Sequence, residues 1–242
     1  MRTKQLLTPE QKAQRLKYIT GTDAGIICGV SPFCTPYKLW EYKTGRDIEP
    51  DISNNPSVKA GIMLEGAIRD WLSNEIKKGI SEPNGMIVSP YHPFMAANID
   101  GDVYLSDCEN GIREIVEIKT SSSATGWGPQ GSLKVPPAYF LQAVHYMSVT
   151  GAQCCYMTVL IRGVDFRWYK LPHCPLVESF LISKEQEFYD CVKNNTMPEI
   201  PNKQWAIDVI EAYIMNYSND LLSNNLEKPL HTIRDGMDYI FG

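Results

Sequence analysis

The chain has 242 residues, of which 43% are hydrophobic and 21% are charged, with 17 Gly and 16 Pro. This is the profile of a soluble globular protein, and no apolar run approaches the roughly 18 residues of a membrane span. The N-terminus lacks the apolar segment of a secretory signal, so we expect an intracellular protein. A net charge of −5 argues against a uniformly basic nucleic-acid coat protein but leaves room for a local basic groove.

Seven cysteines are spread along the chain without a C-x-x-C pair. Zinc ribbons and iron–sulfur clusters normally show closely spaced cysteine pairs, so this spacing argues against a metal–thiolate site. An odd number of cysteines in a chain without a secretory signal favours reduced thiols, several of them buried.

Hydrophobic periodicity and turn residues predict an alternation of helices and strands. The strongest helix prediction covers residues 57–78, where Ile62, Ile68, Leu72 and Ile76 fall on one face. Other predicted helices cover residues 8–18, 24–27, 36–43, 136–150, 175–194 and an amphipathic stretch beyond Pro201, and predicted strands cover residues 86–89, 94–98, 102–104, 113–120, 154–161 and 166–171, the last two joined by a hairpin. This order predicts an α/β core with a mixed sheet flanked by helices. No internal repeat or Gly/Ser-rich linker divides the chain.

Glu65 is an acidic residue on the apolar face of the helix predicted at residues 57–78. At 100° per residue it lies within about 60° of the apolar stripe. Burying an unpaired carboxylate is costly. Glu65 is therefore either a salt-bridged core residue or a carboxylate that points at a metal or a substrate cleft, and both interpretations stay open.

Two further acids lie on predicted neighbouring strands. Asp100 precedes Gly101, a pair typical of tight turns, so a hairpin aspartate is the alternative to a functional one, and Asp102 could share its face. In Val116-Glu117-Ile118-Lys119-Thr120 the period of two puts Glu117 and Lys119 on one face. An exposed ion pair is the alternative for Glu117 and Lys119.

Together these residues predict a metal-dependent hydrolytic site. Asp100 and Glu117 would supply the hard oxygen ligands that Mg²⁺ favours, and the metal would polarise a phosphoryl oxygen and lower the pKa of a bound water. Lys119 would orient that water or stabilise the charge that grows on the phosphorus centre. Glu65 would contact the metal directly or through water.

The helix at residues 136–150 carries polar side chains at helical spacing: Tyr139, Gln142, and His145 or Tyr146. Gln142 could hydrogen-bond a nucleophilic water or a phosphate. A core-facing Gln–His pair is an equally good interpretation.

Basic residues are concentrated in two segments. Residues 118–164 contain no Asp or Glu but include Lys119, Lys134 and Arg162. Residues 1–20 contain five basic residues against the single acid Glu10, and these are Arg2, Lys4, Lys12, Arg15 and Lys17. A polyanion could approach these segments. The loop after Ser121, which contains Trp127, offers hydroxyls, backbone donors and one aromatic ring for phosphate or base contacts, although a solvated loop is the ordinary interpretation.

The order and spacing of these motifs resemble the lambda-exonuclease and YqaJ-like viral recombinase branch of the PD-(D/E)XK nucleases. The resemblance covers roughly residues 12–195. Its motifs are Ile19-Thr20-Gly21-Thr22-Asp23-Ala24, Gly29-Val30-Ser31-Pro32-Phe33, Leu39-Trp40, Lys43-Thr44-Gly45, Gly61-x-x-x-Glu65, Asn98-Ile99-Asp100-Gly101, Glu117-Ile118-Lys119, Trp127-Gly128, and the run from Ala138 to Gly151.

The resemblance implies a restriction-endonuclease-like core with a central mixed β-sheet flanked by helices, in a single nuclease domain with a C-terminal helical extension at residues 200–242. It implies that Asp100, Glu117, the backbone carbonyl of Ile118 and Glu65 bind Mg²⁺, which Mn²⁺ could replace. Lys119 would be the catalytic lysine and Gln142 the glutamine of the family motif. DNA contacts would come from Arg15 at the terminal 5′ phosphate, and from Thr22, Ser121, Trp127, Lys134, Tyr139 and His145.

Members of this branch digest linear duplex DNA from the 5′ end and deliver the 3′ overhang to a single-strand annealing protein. The resemblance therefore implies a phage or prophage protein that acts in the bacterial cytoplasm as a homo-oligomer, with the ring trimer of the lambda-type enzymes as the expected assembly. A restriction or repair endonuclease and a RecB/Cas4-like nuclease are alternative enzymes, the Cas4 type being disfavoured by the missing cysteine cluster. A DNA-binding protein with a decayed site is the non-enzymatic alternative.

Overall fold

Alternating helix-forming and strand-forming segments fold into two sheets with helices on both sides of the larger one. The computed structural model describes residues 8–83 and 85–222. The helices are α1 (Pro9–Arg15), α2 (Gly21–Ile27), α3 (Pro36–Lys43), α4 (Pro56–Ile76), α5 (Pro137–Thr150), α6 (Pro175–Asn194) and α7 (Lys203–Leu222). The strands are β1 (Ile19–Thr20), β2 (Ile80–Ser81), β3 (Ile87–Val88), β4 (Met95–Ala97), β5 (Gly101–Val103), β6 (Glu114–Ser121), β7 (Cys154–Ile161) and β8 (Asp165–Pro172), and 3₁₀ turns lie at Leu105–Asp107 and Glu109–Gly111.

The helix ends follow local sequence rules. Proline occupies the first turn of α1, α3, α4, α5 and α6, where its missing N–H is not needed. The side chain of Asn55 accepts a hydrogen bond from Ser57 N at the start of α4. Gly151 ends α5 with φ of 71°, a left-handed conformation that glycine adopts without strain.

The larger sheet has the strand order β2-β5-β6-β7-β8. Strands β6 and β7 are parallel and joined through α5, whereas the other pairs are antiparallel. The smaller sheet has the order β1-β4-β3. The prediction of an α/β core with a mixed sheet flanked by helices is confirmed, with the difference that the hydrogen bonding divides the strands between two sheets.

The two faces of β6 pack against different helices. Ile115 belongs to the large hydrophobic core that also contains α5 residues, whereas Val116 and Ile118 pack with Ile68 and Leu72 of α4. Because side chains alternate along a strand, Glu117 and Lys119 point to the α5 side.

Several predicted boundaries are corrected. Helix α1 ends at Arg15 rather than at residue 18, and β5 begins at Gly101 rather than at residue 102. The short strands β1 and β2 were not predicted. The amphipathic stretch beyond Pro201 forms α7, whose buried residues Ala206, Val209, Ile210 and Tyr213 join the large core, while residues 223–242 of the predicted extension lie outside the described residues.

Two further observations concern the cysteine thiols and the hydropathy of the helices. All seven cysteines are free thiols. In the part of the chain that the structure describes, no helix is both long enough and apolar enough to cross a membrane.

Candidate active site

The site begins where β5 separates from β6. In the antiparallel register Gly101 lies opposite Val116, so the preceding residue, Asp100, lies next to Glu117. Asp100 N donates to Val116 O (3.0 Å), and Asp100 Oδ2 accepts a hydrogen bond from Ile118 N (2.9 Å). The side chain of Asp100 thus replaces the next backbone bond of the ladder. Two buried carboxylates, Asp100 and Glu117, are held side by side at this opening.

Gly101 is required by packing rather than by a turn. A Cβ atom at this position would lie 2.7 Å from the Ile80 side chain and 3.1 Å from that of Val116. The Asp-Gly pair therefore leads into a central strand, which corrects the alternative of a hairpin aspartate. Asp102, two residues on, pairs with Arg113 instead of joining the site.

Lys119 connects the carboxylates to α5. Its Nζ donates to Glu117 Oε1 (2.6 Å) and to Gln142 Oε1 (2.8 Å). Gln142 Nε2 in turn donates to Glu117 Oε1 (2.8 Å) and to Tyr146 Oη (3.0 Å). One acid, one ammonium and one amide are therefore fixed relative to each other by a closed set of hydrogen bonds, and Tyr146 supports the amide from one helical turn away.

The electrostatics of the site centre on Lys119. Burial lowers the pKa of this ammonium, but Glu117 and Asp100 outweigh burial, so its pKa is raised and Lys119 is protonated at neutral pH. Burial and the same two carboxylates raise the pKa of Tyr146, which stays neutral. Both groups therefore sense Asp100 and Glu117 together, as expected if the carboxylates share one site.

Glu65 reaches the site from α4, on the other side of the sheet. Its Oε1 accepts a hydrogen bond from the Arg69 guanidinium (2.8 Å), and Arg69 Nε donates to the backbone carbonyl of Asp100 (2.9 Å). The ion pair connects Glu65 to the backbone of Asp100, and the predicted contact of Glu65 with a metal, directly or through water, stays a prediction. Sequence reasoning missed Arg69, although its position one helical turn after Glu65 is a usable signal.

The donor set fits a hard divalent cation. Asp100 and Glu117 offer carboxylate oxygens and Ile118 a backbone carbonyl, which are the ligand types that Mg²⁺ and Mn²⁺ take. Like charges directly opposite on paired strands are unfavourable unless a cation lies between them. Within residues 8–83 and 85–222, no group of three His, Cys, Asp or Glu side chains is arranged to hold a metal. The predicted set of Asp100, Glu117, Glu65 and the Ile118 carbonyl stays a prediction.

The predicted contacts for a DNA end lie near this network. An Arg15 terminal nitrogen donates to Thr22 Oγ1 (3.2 Å), and the Arg15 charge lies close enough to Tyr146 to oppose in part the rise in the pKa of that phenol. Gly21, next to Thr22, packs so tightly on Tyr146 that a Cβ atom there would lie 2.3 Å from the ring. The structure thus brings Arg15 and Thr22 to the Tyr146 side of the site. The predicted basic residues Arg2 and Lys4 lie outside the described residues.

Ser121 and Lys134 lie at the two ends of the loop that follows β6. Ser121 Oγ donates to Ser123 O (2.7 Å), and the backbone carbonyl of the exposed Lys134 accepts from Gly128 N (2.8 Å). Phosphate contacts by Ser121 and Lys134 stay a prediction.

Two of the predicted DNA contacts are buried instead. Trp127 is only 7% exposed and lies between the rings of Tyr139 and Tyr169, at centroid distances of 5.6 and 5.7 Å. His145 is fully buried, with Nδ1 at 2.8 Å from Glu185 Oε1 and Nε2 at 3.0 Å from Ala96 O. Neither side chain can reach DNA in this structure, so a contact role for Trp127 and His145 does not fit.

Tyr139 lies between Trp127 and the site residue Lys119. Its ring packs on Trp127 on one side, and Lys119 Nζ lies 4.7 Å from its centroid. This is a cation–π contact, which stabilises an ammonium near an aromatic face. Tyr139 therefore contacts the lysine of the site rather than only the solvent.

Comparison with known proteins places the chain in a family. The family model described as YqaJ-like viral recombinase domain matches residues 10–153, more than half of the chain. The chain belongs to this family. The match includes Glu65, Asp100, Glu117, Lys119 and Gln142, and it confirms the YqaJ-like resemblance of the motifs.

Individual proteins and solved structures are also similar to this chain. The uncharacterized protein YqaJ of Bacillus subtilis (strain 168) is 26% identical over 224 residues, which cover 89% of this chain and 67% of that protein. The alkaline exonuclease LHK-Exo from Laribacter hongkongensis has a similar structure, with a TM-score of 0.59 and 18% identity over 88% of this chain and all of that one. A putative exonuclease from Eubacterium rectale has a TM-score of 0.52 and 12% identity over 83% and 91% of the two chains. The YqaJ-like chain thus has the restriction-endonuclease-like fold of the alkaline exonucleases.

Proposed function

We propose that this YqaJ-like protein is a metal-dependent exonuclease that degrades linear double-stranded DNA from the 5′ end and leaves 3′ single-stranded overhangs. The observation that carries the proposal is the convergence of Asp100, Glu117 and Lys119 at the opening between β5 and β6. The family description and the fold shared with alkaline exonucleases support it. LHK-Exo has also been crystallised with dAMP, a deoxynucleoside monophosphate of the type that such an enzyme releases.

In this proposal Asp100, Glu117 and the carbonyl of Ile118 hold Mg²⁺, with Mn²⁺ able to replace it. The bound ion would polarise a phosphoryl oxygen and lower the pKa of a water molecule. The Ile118 N–H fixes the Asp100 carboxylate, and Arg69 fixes its backbone through the Asp100 carbonyl. The ligand oxygens are thereby positioned before substrate arrives.

Lys119 stabilises the negative charge that develops on the phosphoryl group. Its ammonium is protonated and is held by Glu117 and Gln142, so it costs no reorganisation during the reaction. Gln142 has a second task, because its amide fixes the orientation of the Glu117 carboxylate. Tyr146 is a positioning residue that acts through Gln142.

In this proposal Arg15 binds the terminal 5′ phosphate, as the family resemblance implies. A guanidinium binds a terminal phosphate in a two-pronged manner, and the Thr22 hydroxyl would add a further contact. Ser121, Tyr139 and Lys134 would lie along the DNA strand. We further propose that the overhang passes to a single-strand annealing protein in phage-type recombination in a bacterial cytoplasm, and that the enzyme works as a homo-oligomer of the ring-trimer type.

One assay separates the candidate functions. Linear and covalently closed circular duplex are incubated with Mg²⁺ or with EDTA, and nucleotide release is followed. Metal-dependent loss of linear DNA alone is the expected result. Cutting of the circle would instead indicate the alternative endonuclease, and no cleavage with any divalent metal would indicate a non-catalytic DNA-binding protein. The variant Lys119→Ala should lose turnover while it keeps most DNA affinity, because it removes transition-state stabilisation rather than docking.

A further inference from the structure

The turn between β7 and β8 has an unusual residue at its tip. Arg162 and Gly163 both have positive φ, 52° and 74°, and Val164 N donates to Ile161 O (3.1 Å). A hairpin turn of this kind favours Gly, which lacks a Cβ atom, or Asn, whose short side chain can hydrogen-bond the local backbone, and it strains longer side chains. An arginine at the first position is thus kept at a conformational cost. Such a cost often marks a residue that is retained for its function.

The tip lies next to the proposed active site. Arg162 N donates to Ser121 O (2.7 Å), which ties the turn to the carboxyl end of β6. Ser121 is two residues beyond Lys119, about 7 Å along an extended strand. An arginine side chain that starts from this point is close enough to contact a phosphate near the scissile bond.

The turn is held in place from both sides. Phe166 stacks on Trp71 of α4, with ring centroids 4.5 Å apart. Arg167 pairs with Asp165 (2.6 Å) and donates to the carbonyl of Gly128 in the loop after β6 (3.0 Å). The position of the tip relative to the site is therefore fixed by packing and hydrogen bonds.

The positive charge of Arg162 is not paired with another side chain in the part of the chain that the structure describes. Its side chain is exposed and makes no hydrogen bond or ion pair with another residue in the described ranges 8–83 and 85–222. The nearest acid in sequence, Asp165, is occupied by Arg167. Residues 118–164 contain no Asp or Glu. The tip therefore presents an uncompensated cation, which favours a polyanion.

We propose that Arg162 binds a backbone phosphate of the DNA strand close to the cleavage site, so that the β7–β8 turn is a part of the DNA-binding surface. This inference rests on the proposed nuclease function. It assigns a phosphate contact to a side chain that the family motifs do not include. The guanidinium gives a two-pronged hydrogen bond to a phosphate, and the tethered turn keeps it at a constant distance from Lys119.

The test uses two matched glycine variants. Lys77 is also exposed, also has positive φ (58°), and ends α4 next to Lys78, which binds Glu114 at the opposite end of β6. Arg162→Gly and Lys77→Gly each remove one positive charge and one strained side chain. Only the first is expected to affect DNA binding. Both should melt at the wild-type temperature or above, because glycine fits a left-handed position.

Binding of a 5′-phosphorylated linear duplex is measured in EDTA across a range of salt concentrations. Arg162→Gly should bind about fivefold more weakly at about 0.15 M salt, and the slope of log K against log salt should fall by about one. Arg162→Lys should keep the slope, since it keeps the charge. Lys77→Gly should match the wild type in both quantities.

Two results would overturn the inference while leaving the nuclease proposal intact. One is an Arg162→Gly protein that equals Lys77→Gly in affinity and salt slope. The other is a loss of affinity accompanied by a lower melting temperature than that of Lys77→Gly, since it would show that Arg162 supports the fold. Wild-type protein that neither binds nor degrades DNA would instead remove the proposed function, and this inference with it.

Discussion

Two buried glutamates lie three residues apart on β6, and their surroundings differ. Glu114 accepts hydrogen bonds from Lys78 (2.6 Å) and Tyr156 (3.3 Å) and pairs with Lys170 (3.1 Å), and both lysines also lie over the Tyr156 ring. Burial raises the pKa of Glu114, but the two lysines outweigh it and the pKa is lowered. This carboxylate is stabilised as an ion in a structural cluster.

Glu117 points to the other face of the sheet and has a second carboxylate beside it. It shares Lys119 with Gln142, while Asp100 lies across the strand boundary. Both glutamates are buried and both contact a lysine, so burial and ion pairing alone do not mark a functional site. The convergence of a second acid and an amide from other elements is what separates Glu117 from Glu114.

The largest expected effect tests this contrast directly. Glu117→Gln should lower nucleotide release on the order of a thousandfold, because it removes a charge that holds the metal, while the melting temperature stays level or rises. Glu114→Gln should keep the activity and lose roughly 1–3 kcal/mol of stability, because two lysines remain around a neutral group. Nuclease assays and thermal unfolding of both variants check it. Similar activity losses in the two would contradict the contrast.

The His145–Glu185 pair is a second structural cluster and gives a pH test. Burial lowers the pKa of His145, but Glu185 and the Ala96 carbonyl outweigh it, so the pKa is raised above its usual 6.5. The stability from this proton is full below about pH 6.5 and is lost as pH rises through the raised pKa. Burial also raises the pKa of Glu185, and His145 opposes that rise, so both members of the pair have to be replaced together. The double variant His145→Gln/Glu185→Gln should lack this pH-dependent loss and be roughly 3 kcal/mol less stable than the wild type at pH 6.

Denaturant unfolding of the wild type and of His145→Gln/Glu185→Gln between pH 6 and 9 gives the stability of each protein. The difference in stability between the two proteins should shrink as pH rises. A difference that is constant across this range would show that His145 holds no extra proton in the folded state.

Features that depend on residues close together in the chain could be predicted from the sequence, whereas features that depend on contacts between distant residues could not. Helix α4 follows from its helical periodicity, strands β6 and β7 follow from β-rich runs bounded by turn residues, and the shared face of Glu117 and Lys119 follows from their two-residue spacing. The strands β1 and β2 are only two residues long and are therefore too short to show a periodic pattern. They are defined by pairing partners that lie more than 20 residues away in the chain. The burial of Trp127 and of His145 depends on partners that only the fold brings together.

A smaller effect concerns the proposed end-binding residues. Arg15→Ala should reduce the preference for 5′-phosphorylated over 5′-hydroxyl duplex by about tenfold, because one charge-assisted phosphate contact is lost. Lys17→Ala is the matched control, since Lys17 is an exposed cation two residues away. Initial rates on the two kinds of end give the ratio. An unchanged ratio in Arg15→Ala would remove this role.

The smallest expected effect tests the contact of Tyr139 with Lys119. Tyr139→Leu should lower kcat about three- to tenfold with little change in KM, because the ring face that stabilises the ammonium is gone. Tyr139→Phe keeps the ring and should restore most of the rate. If Tyr139→Phe is as slow as Tyr139→Leu, the cation–π contact is not what matters.

The central claim is that the β5–β6 opening is a metal-dependent hydrolytic centre, and anomalous diffraction from a crystal soaked in Mn²⁺ tests it most directly. We expect one anomalous peak bound by Asp100, Glu117 and the Ile118 carbonyl, with Lys119 Nζ nearby, and we expect this peak to be lost in Glu117→Gln but not in Glu114→Gln. A peak at another place, or no peak in crystals of active protein, would contradict it.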